Sequence, residues 1–189
     1  GCNPVTDFIT IQISEGPTVD AGLPDTICAD ANEVNLNGSY TVAGGAEWSS
    51  LTGGSFSPTV EDTIATYNIS SLDSLNGGVT IYLTTTFNGT CLPVVDSVRM
   101  VITPTPTVDA GTDQTICADS TGVEITGIIT VSGGGAWTTT GSGNFNPDTF
   151  SLTFTYEPSL SDISDSTVVL TLTTTDNGLC NPVSDNVNI

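Results

Sequence analysis

The chain has 189 residues, of which 37% are hydrophobic and 12% charged, with 21 acidic side chains against a single cation, Arg99, and no His or Lys. A formal charge of −20 excludes nucleic-acid binding through phosphate contacts and repels an anionic membrane surface. No apolar run approaches the ~20 residues that would span a bilayer, so no direct membrane insertion is expected.

The strand signals recur with a fixed period. Pro17-Thr18-Val19-Asp20-Ala21-Gly22 returns as Pro106-Thr107-Val108-Asp109-Ala110-Gly111, an offset of 89. The same offset relates Cys28 to Cys117, Trp48 to Trp137, Tyr67 to Tyr156 and Cys91 to Cys180 without a gap. Residues 17–105 and 106–189 therefore read as two repeats. Residues 1–16 read as the last strand of a preceding repeat, because Cys2-Asn3-Pro4-Val5 matches the sequence around Cys91 and Cys180.

Within each repeat, in chain order, Val34 and Leu36 (Val123 and Ile125) alternate with polar residues. Trp48 and Trp137 follow Gly-rich turns and read as core filler. Ala65, Tyr67 and Ile69 share a phase, as do Leu152, Phe154 and Tyr156. Val79, Ile81 and Leu83 match Val168, Leu170 and Leu172. Asn88-Gly89 and Asn177-Gly178 then turn the chain into a final strand. Six or seven such strands fit an immunoglobulin-like sandwich. The fold class expected is all-β, with tandem immunoglobulin-like β-sandwich domains arranged end to end. The threonine runs at 84–86 and 173–175 read as strand residues facing water.

Cys28 and Cys91 are 63 residues apart, as are Cys117 and Cys180. Equal spacing predicts the disulfides Cys28–Cys91 and Cys117–Cys180, one per repeat, with Cys2 left for a partner in a preceding repeat. Disulfides place the chain outside the cytosol.

No enzyme is expected, since His, Lys and a Cys–His pair are absent and recurrent carboxylates along a stalk do not resemble one active site. No cofactor is expected, and calcium is the one candidate considered. Asp20 and Asp109, beside the Pro-rich linker, and Asp96 and Asp185, in the inward phase of the final strand, are the candidate oxygen ligands. Turn formation in water is the reading favoured over calcium for Asp20 and Asp109. For Asp96 and Asp185 three outcomes stand open: a bulge, acceptance of backbone N–H groups, or a cation.

Asp-Ala-Gly, Thr-Ile-Cys-Ala-Asp, a Trp after a Gly-rich turn, Leu-Thr-Thr-Thr, Asn-Gly-x-Cys and x-Pro-Val-x-Asp together resemble the immunoglobulin-like, PKD-like repeats of giant Bacteroidota surface proteins. These include gliding-motility adhesins and other substrates of the type IX secretion system. The Trp-Asp-Phe-Gly-Asp-Gly motif of PKD domains is replaced by Trp48-Ser49-Ser50 and Trp137-Thr138-Thr139. The resemblance implies a structural segment of an extracellular adhesin or filament at the cell surface, whose partners are neighbouring repeats and a surface or glycan ligand. It also implies O-glycosylation at Asp-(Ser/Thr)-apolar sites, here Thr26, Thr63, Ser74 and Ser97. A calcium- or glycan-binding module is the alternative, as is a fibre subunit assembled by strand donation from residues 2–14.

Overall fold

The computed structural model describes residues 1–189 and is an all-β, immunoglobulin-like β-sandwich fold. Over the first repeat the strands are β1 (Thr18–Asp20), β2 (Asp25–Cys28), β3 (Glu33–Asn37), β4 (Ser39–Thr41), β5 (Gly45–Ser50), β6 (Ser55–Ser57), β7 (Ile64–Asn68), β8 (Gly78–Thr86) and β9 (Val95–Thr103), with one short helix, α1 (Ser71–Leu75). Over the second they are β10 (Thr107–Asp109), β11 (Val123–Thr126), β12 (Ile128–Thr130), β13 (Gly134–Thr139), β14 (Asn144–Asn146), β15 (Thr153–Glu157), β16 (Val169–Thr175) and β17 (Ser184–Asn188), with α2 (Leu160–Asp165). Two three-residue pairs in each repeat, such as β1–β4 and β6–β7, take the count beyond the six or seven strands expected.

Contacts divide the chain into two compact units that do not follow the repeat boundaries. The first comprises residues 1–25, 33–72 and 79–100, and the second 26–32, 73–78 and 101–189.

In the first unit, β3 pairs with β7 and β6 with β7, placing Phe56 opposite Tyr67. Its second sheet pairs β5 with β8, with Trp48 opposite Leu83. Alternation delivers Val34, Leu36, Trp48, Tyr67, Ile81, Leu83, Val98 and Met100 to the interior. Phe56 bridges Trp48 and Tyr67, with ring centroids 6.5 and 5.0 Å away. Gly38 is buried against the Trp48 ring and Leu83, where a Cβ would overlap both.

The second unit repeats this plan. The sheets β11–β15–β14 and β13–β16–β17 close over Ile125, Trp137, Phe154, Tyr156, Val168, Leu170, Leu172 and Val187.

Residues 1–16, read as belonging to a preceding repeat, are in no strand here and are exposed throughout, with Ile13 90% accessible. One expectation needs correction. The middle threonines of the two runs, Thr85 and Thr174, are buried rather than facing water. Their hydroxyls accept the backbone N–H groups of Val94 (2.9 Å) and Val183 (3.0 Å), which fixes the turn into the last strand.

Candidate functional site: a disulfide clasp

Cys28 ends β2, and its neighbours meet the far end of β9. The Ala29 N–H donates to the Thr103 carbonyl (2.8 Å), and the Thr103 hydroxyl donates to the Ile27 carbonyl (3.1 Å). The chain then leaves β9 through Pro104. There the thiol position of Cys180 lies 3.5 Å from the Pro104 carbonyl and 3.7 Å from the Thr103 hydroxyl. The two sulfurs meet. Cys28 is bonded to Cys180, with Cα atoms 5.0 Å apart across 152 residues of sequence.

The expected pairs Cys28–Cys91 and Cys117–Cys180 are therefore corrected. Cys91 precedes β9 and Cys28 adjoins its end, so the nine residues of β9, roughly 30 Å of extended strand, hold them apart. A disulfide needs Cα atoms within about 7 Å. Cys91 is left half-buried as a free thiol, and Cys117 and Cys2 are free and exposed. Spacing misled because a partner 63 residues away in one repeat and a partner one period further on, 152 residues away, produce the same cysteine pattern. The Asn88-Gly89 turn held the missing information, since it puts Cys91 at the start of the last strand rather than at its end.

A carboxylate completes the clasp. Asp30 Oδ2 accepts the Asn181 backbone N–H (2.9 Å) and its side-chain amide (2.8 Å). Ligand atoms of Cys28, Asp30 and Cys180 lie within 4.8 Å of one another. As reduced thiolates they would form a soft cation site with a carboxylate; the bond consumes both sulfurs. A cleft lined by Thr26, Thr103, Pro104, Asp176 and Leu179 opens beside Cys180.

The four candidate calcium ligands are occupied by backbone. Asp96 Oδ2 accepts the N–H of buried Ala21, and Asp185 Oδ2 that of buried Ala110, both at 2.8 Å. Of the three outcomes left open for these residues, the structure adopts N–H acceptance. Asp20 and Asp109 each accept the N–H two residues on, from Gly22 and Gly111, at 2.8 Å. These Asx turns support the left-handed glycines, whose φ values are 87° and 89°. None of the four aspartates joins a group of three ligand atoms. Of the candidate glycan acceptors, Thr26 and Ser97 are exposed while Thr63 and Ser74 are half-buried.

A second carboxylate pair also recurs at the 89-residue offset. Asp73 and Asp162 are buried, on α1 and α2. Asp162 accepts the Ser142 and Ser159 N–H groups at 2.9 and 3.0 Å and the Tyr156 hydroxyl at 2.8 Å, while Ser159 caps the helix. Burial pushes this carboxyl up, but the N–H donors and the tyrosine outweigh it and bring its pKa down to about 2. Burial chiefly raises the Tyr156 hydroxyl. A Ser or Thr three residues before Asp, ahead of a short apolar run, is the sequence signal for such a cap.

No protein-family model matches the chain, and no curated protein does. Solved structures do. Drosophila N-cadherin EC1-4 aligns with a TM-score of 0.52 at 10% identity, covering 92% of this chain and 49% of that one. The titin I-band fragment I67-I69 aligns at 0.49 and 14% identity, covering 93% and 65%. The PKD domain of human KIAA0319 aligns at 0.32 and 20% identity, covering 47% and 81%. The chain thus spans about half the length of the cadherin structure it matches. At 10% identity the likeness to the N-cadherin structure is one of fold alone, a β-sandwich.

Proposed function

We propose that this chain is a load-bearing segment of an extracellular adhesin stalk or filament, built from repeats 17–105 and 106–189, and that it is not an enzyme. The observation that carries this reading is the bond between Cys28 of the first repeat and Cys180 of the second. A tension applied at the two ends passes through the sulfur atoms and bypasses the chain between them. A module built only to bind a ligand gains nothing from such a shunt, whereas a tether does. The bond also favours an oxidising compartment. No helix is long and apolar enough to cross a membrane. The resemblance to Bacteroidota surface repeats extends the reading to type IX export, gliding or adhesion, glycans on Thr26, Thr63, Ser74 and Ser97, and a surface glycan as distal ligand.

Pulling single molecules by their ends tests it. Oxidised chains should extend only by the residues outside the loop. Reduced chains should gain roughly 55 nm of contour length from the ~152 residues released. Equal extension in both states would sink the reading.

Calcium is the second reading. In each repeat two carboxylates converge on one tripeptide, Asp20 and Asp96 at Asp20–Gly22 and Asp109 and Asp185 at Asp109–Gly111. A melting temperature that rises with calcium but not with magnesium at equal ionic strength would support it. Equal responses would show screening of the net charge alone.

A further inference from the structure

The sequence has no His and no Cys-x-x-Cys, so no run of neighbouring residues marks a soft-metal site. The fold assembles one from distant residues. Cys28, at the end of β2, and Cys180, ahead of β17, have Cα atoms 5.0 Å apart, and Asp30 follows Cys28 by two residues. The two sulfurs and a carboxylate oxygen lie within 4.8 Å of one another. All three residues belong to the second compact unit, so one packed body sets their spacing.

Each of the three is held from behind. Cys28 is buried, and the Ala29 N–H bond to the Thr103 carbonyl (2.8 Å) fixes the backbone beside it. The Cys180 N–H closes a turn onto the Asn177 carbonyl (3.1 Å). Asp30 takes both bonds from Asn181, at 2.9 and 2.8 Å, on Oδ2, which leaves Oδ1 open to a cation. Pinning a carboxylate through its second oxygen is the outer support that metal sites use. On the remaining side the cleft lined by Thr26, Thr103, Pro104, Asp176 and Leu179 opens beside Cys180 and admits water.

We propose that, when its disulfide is reduced, the clasp binds one zinc ion through Cys28 Sγ, Cys180 Sγ and an Asp30 carboxylate oxygen, with water from the cleft as fourth ligand. Reduction leaves these groups without a counter-charge. Two thiols then face Asp30, with Asp176 on the wall of the adjoining cleft. The chain has no Lys or His, and its one cation, Arg99, belongs to the first unit. A divalent cation answers that charge. Tetrahedral zinc, with sulfurs at about 2.3 Å, places them roughly 3.8 Å from each other and roughly 3.5 Å from a bound carboxylate oxygen, so Asp30 has to approach by only about 1 Å. Calcium takes six or more oxygens, which the clasp does not offer. Binding releases the two thiol protons to solvent and moves no electrons. The ion then keeps Cys28 and Cys180 together, so the span of 152 residues stays closed in the reduced chain.

The site needs the clasp but not the stalk reading, and the two fail separately, because pulling probes load along the chain and metal titration probes three ligands. The test uses the whole chain carrying Cys2→Ser, Cys91→Ser and Cys117→Ser, so that Cys28 and Cys180 are its only thiols. It is reduced with a phosphine and desalted under argon. Cobalt(II) is the probe, because its visible bands report a tetrahedral ligand set and its near-ultraviolet band reports thiolate. The expected result is one cobalt per reduced chain, displaced by zinc, and none bound with thiolate character in the oxidised chain. Asp30→Asn should weaken binding at least tenfold, and Cys28→Ser should remove the stoichiometric site. Zinc should also raise the melting temperature of the reduced chain more than that of the oxidised chain. Where reduction alone unfolds the chain, zinc should restore the tryptophan fluorescence of the folded form. Absence of the thiolate band, indifference to Asp30→Asn, equal zinc effects on the two redox forms, or failure of zinc to refold an unfolded reduced chain would overturn the proposal.

Discussion

The Tyr156 hydroxyl donates to Asp162 Oδ2 over 2.8 Å, from a ring that is fully buried to a carboxylate that is 6% exposed. Tyr67 and Asp73 are likewise fully buried at the matching positions of the first repeat. The corner between β15 and α2 hangs on this bond, because the same carboxylate collects the Ser142 and Ser159 N–H groups. Tyr156→Phe should therefore destabilise the fold by about 1–3 kcal/mol, as expected for a hydrogen bond to a charged acceptor. Urea unfolding followed by tryptophan fluorescence would measure it.

Acid should expose the same carboxylate. Its folded pKa, about 2, lies below the ordinary value, so its stabilisation is complete above roughly pH 5 and is lost as the pH falls toward 2. The depression corresponds to roughly 2 kcal/mol. Asp113 and Asp148 are also lowered, by N–H bonds from Asn188 and from Phe150 and Ser151, and act in the same window. Stability curves of wild type and Asp162→Asn should consequently converge between pH 5 and 2, and parallel curves would refute the assignment.

Breaking the Cys28–Cys180 bond should cost more than any single hydrogen bond. Closing a loop of 152 residues is worth roughly 4–5 kcal/mol in the chain-entropy picture. Cys28→Ser and Cys180→Ser should lower the melting temperature equally, and a reductant should then have no further effect on either.

Asp30 should shield that bond. Its carboxylate lies within 4.8 Å of the sulfurs and repels an attacking thiolate, by about 1 kcal/mol in a watery setting. Asp30→Asn should speed reduction by dithiothreitol about fourfold at low salt, with the difference shrinking as salt is added. A stopped-time thiol assay would read both rates.

Gly38 and Gly127 touch the indole rings of Trp48 and Trp137 and the side chains of Leu83 and Leu172. Gly38→Ala should force the ring or the leucine off its rotamer, at about 1–3 kcal/mol. Gly53→Ala meets no atom, but its φ of 87° is strained for alanine, so about 1 kcal/mol is expected there. Parallel melts would separate overlap from backbone strain.

Much of the fold was legible because alternation and the 89-residue offset reinforce each other. Trp48, Tyr67, Ile81 and Leu83 fall inward where period two puts them, and so do Trp137, Tyr156, Leu170 and Leu172. The burial of Thr85 was not legible, since a strand of threonines alternates without a hydrophobic contrast. Residues 5–13 carry the pattern of a strand but find no neighbour, and pattern alone cannot supply one. The cysteine partner was illegible for a different reason. Repetition makes the first cysteine of one repeat equivalent to the first of the next, so spacing identifies the kind of partner and leaves its repeat undecided. Only the length of β9 breaks that tie.

A bond that spans 152 residues in a pattern of period 89 has a topological consequence, because loops repeated at that interval must overlap. In an array that repeated the bond, the shortest covalent route would cross a sulfur bridge, follow about 26 residues of chain, and meet the next bridge two repeats along. Those residues reach at most ~90 Å when drawn straight. An array so linked has a length ceiling written into its bonds. Unfolding every sandwich would leave it slack inside yet scarcely longer from end to end.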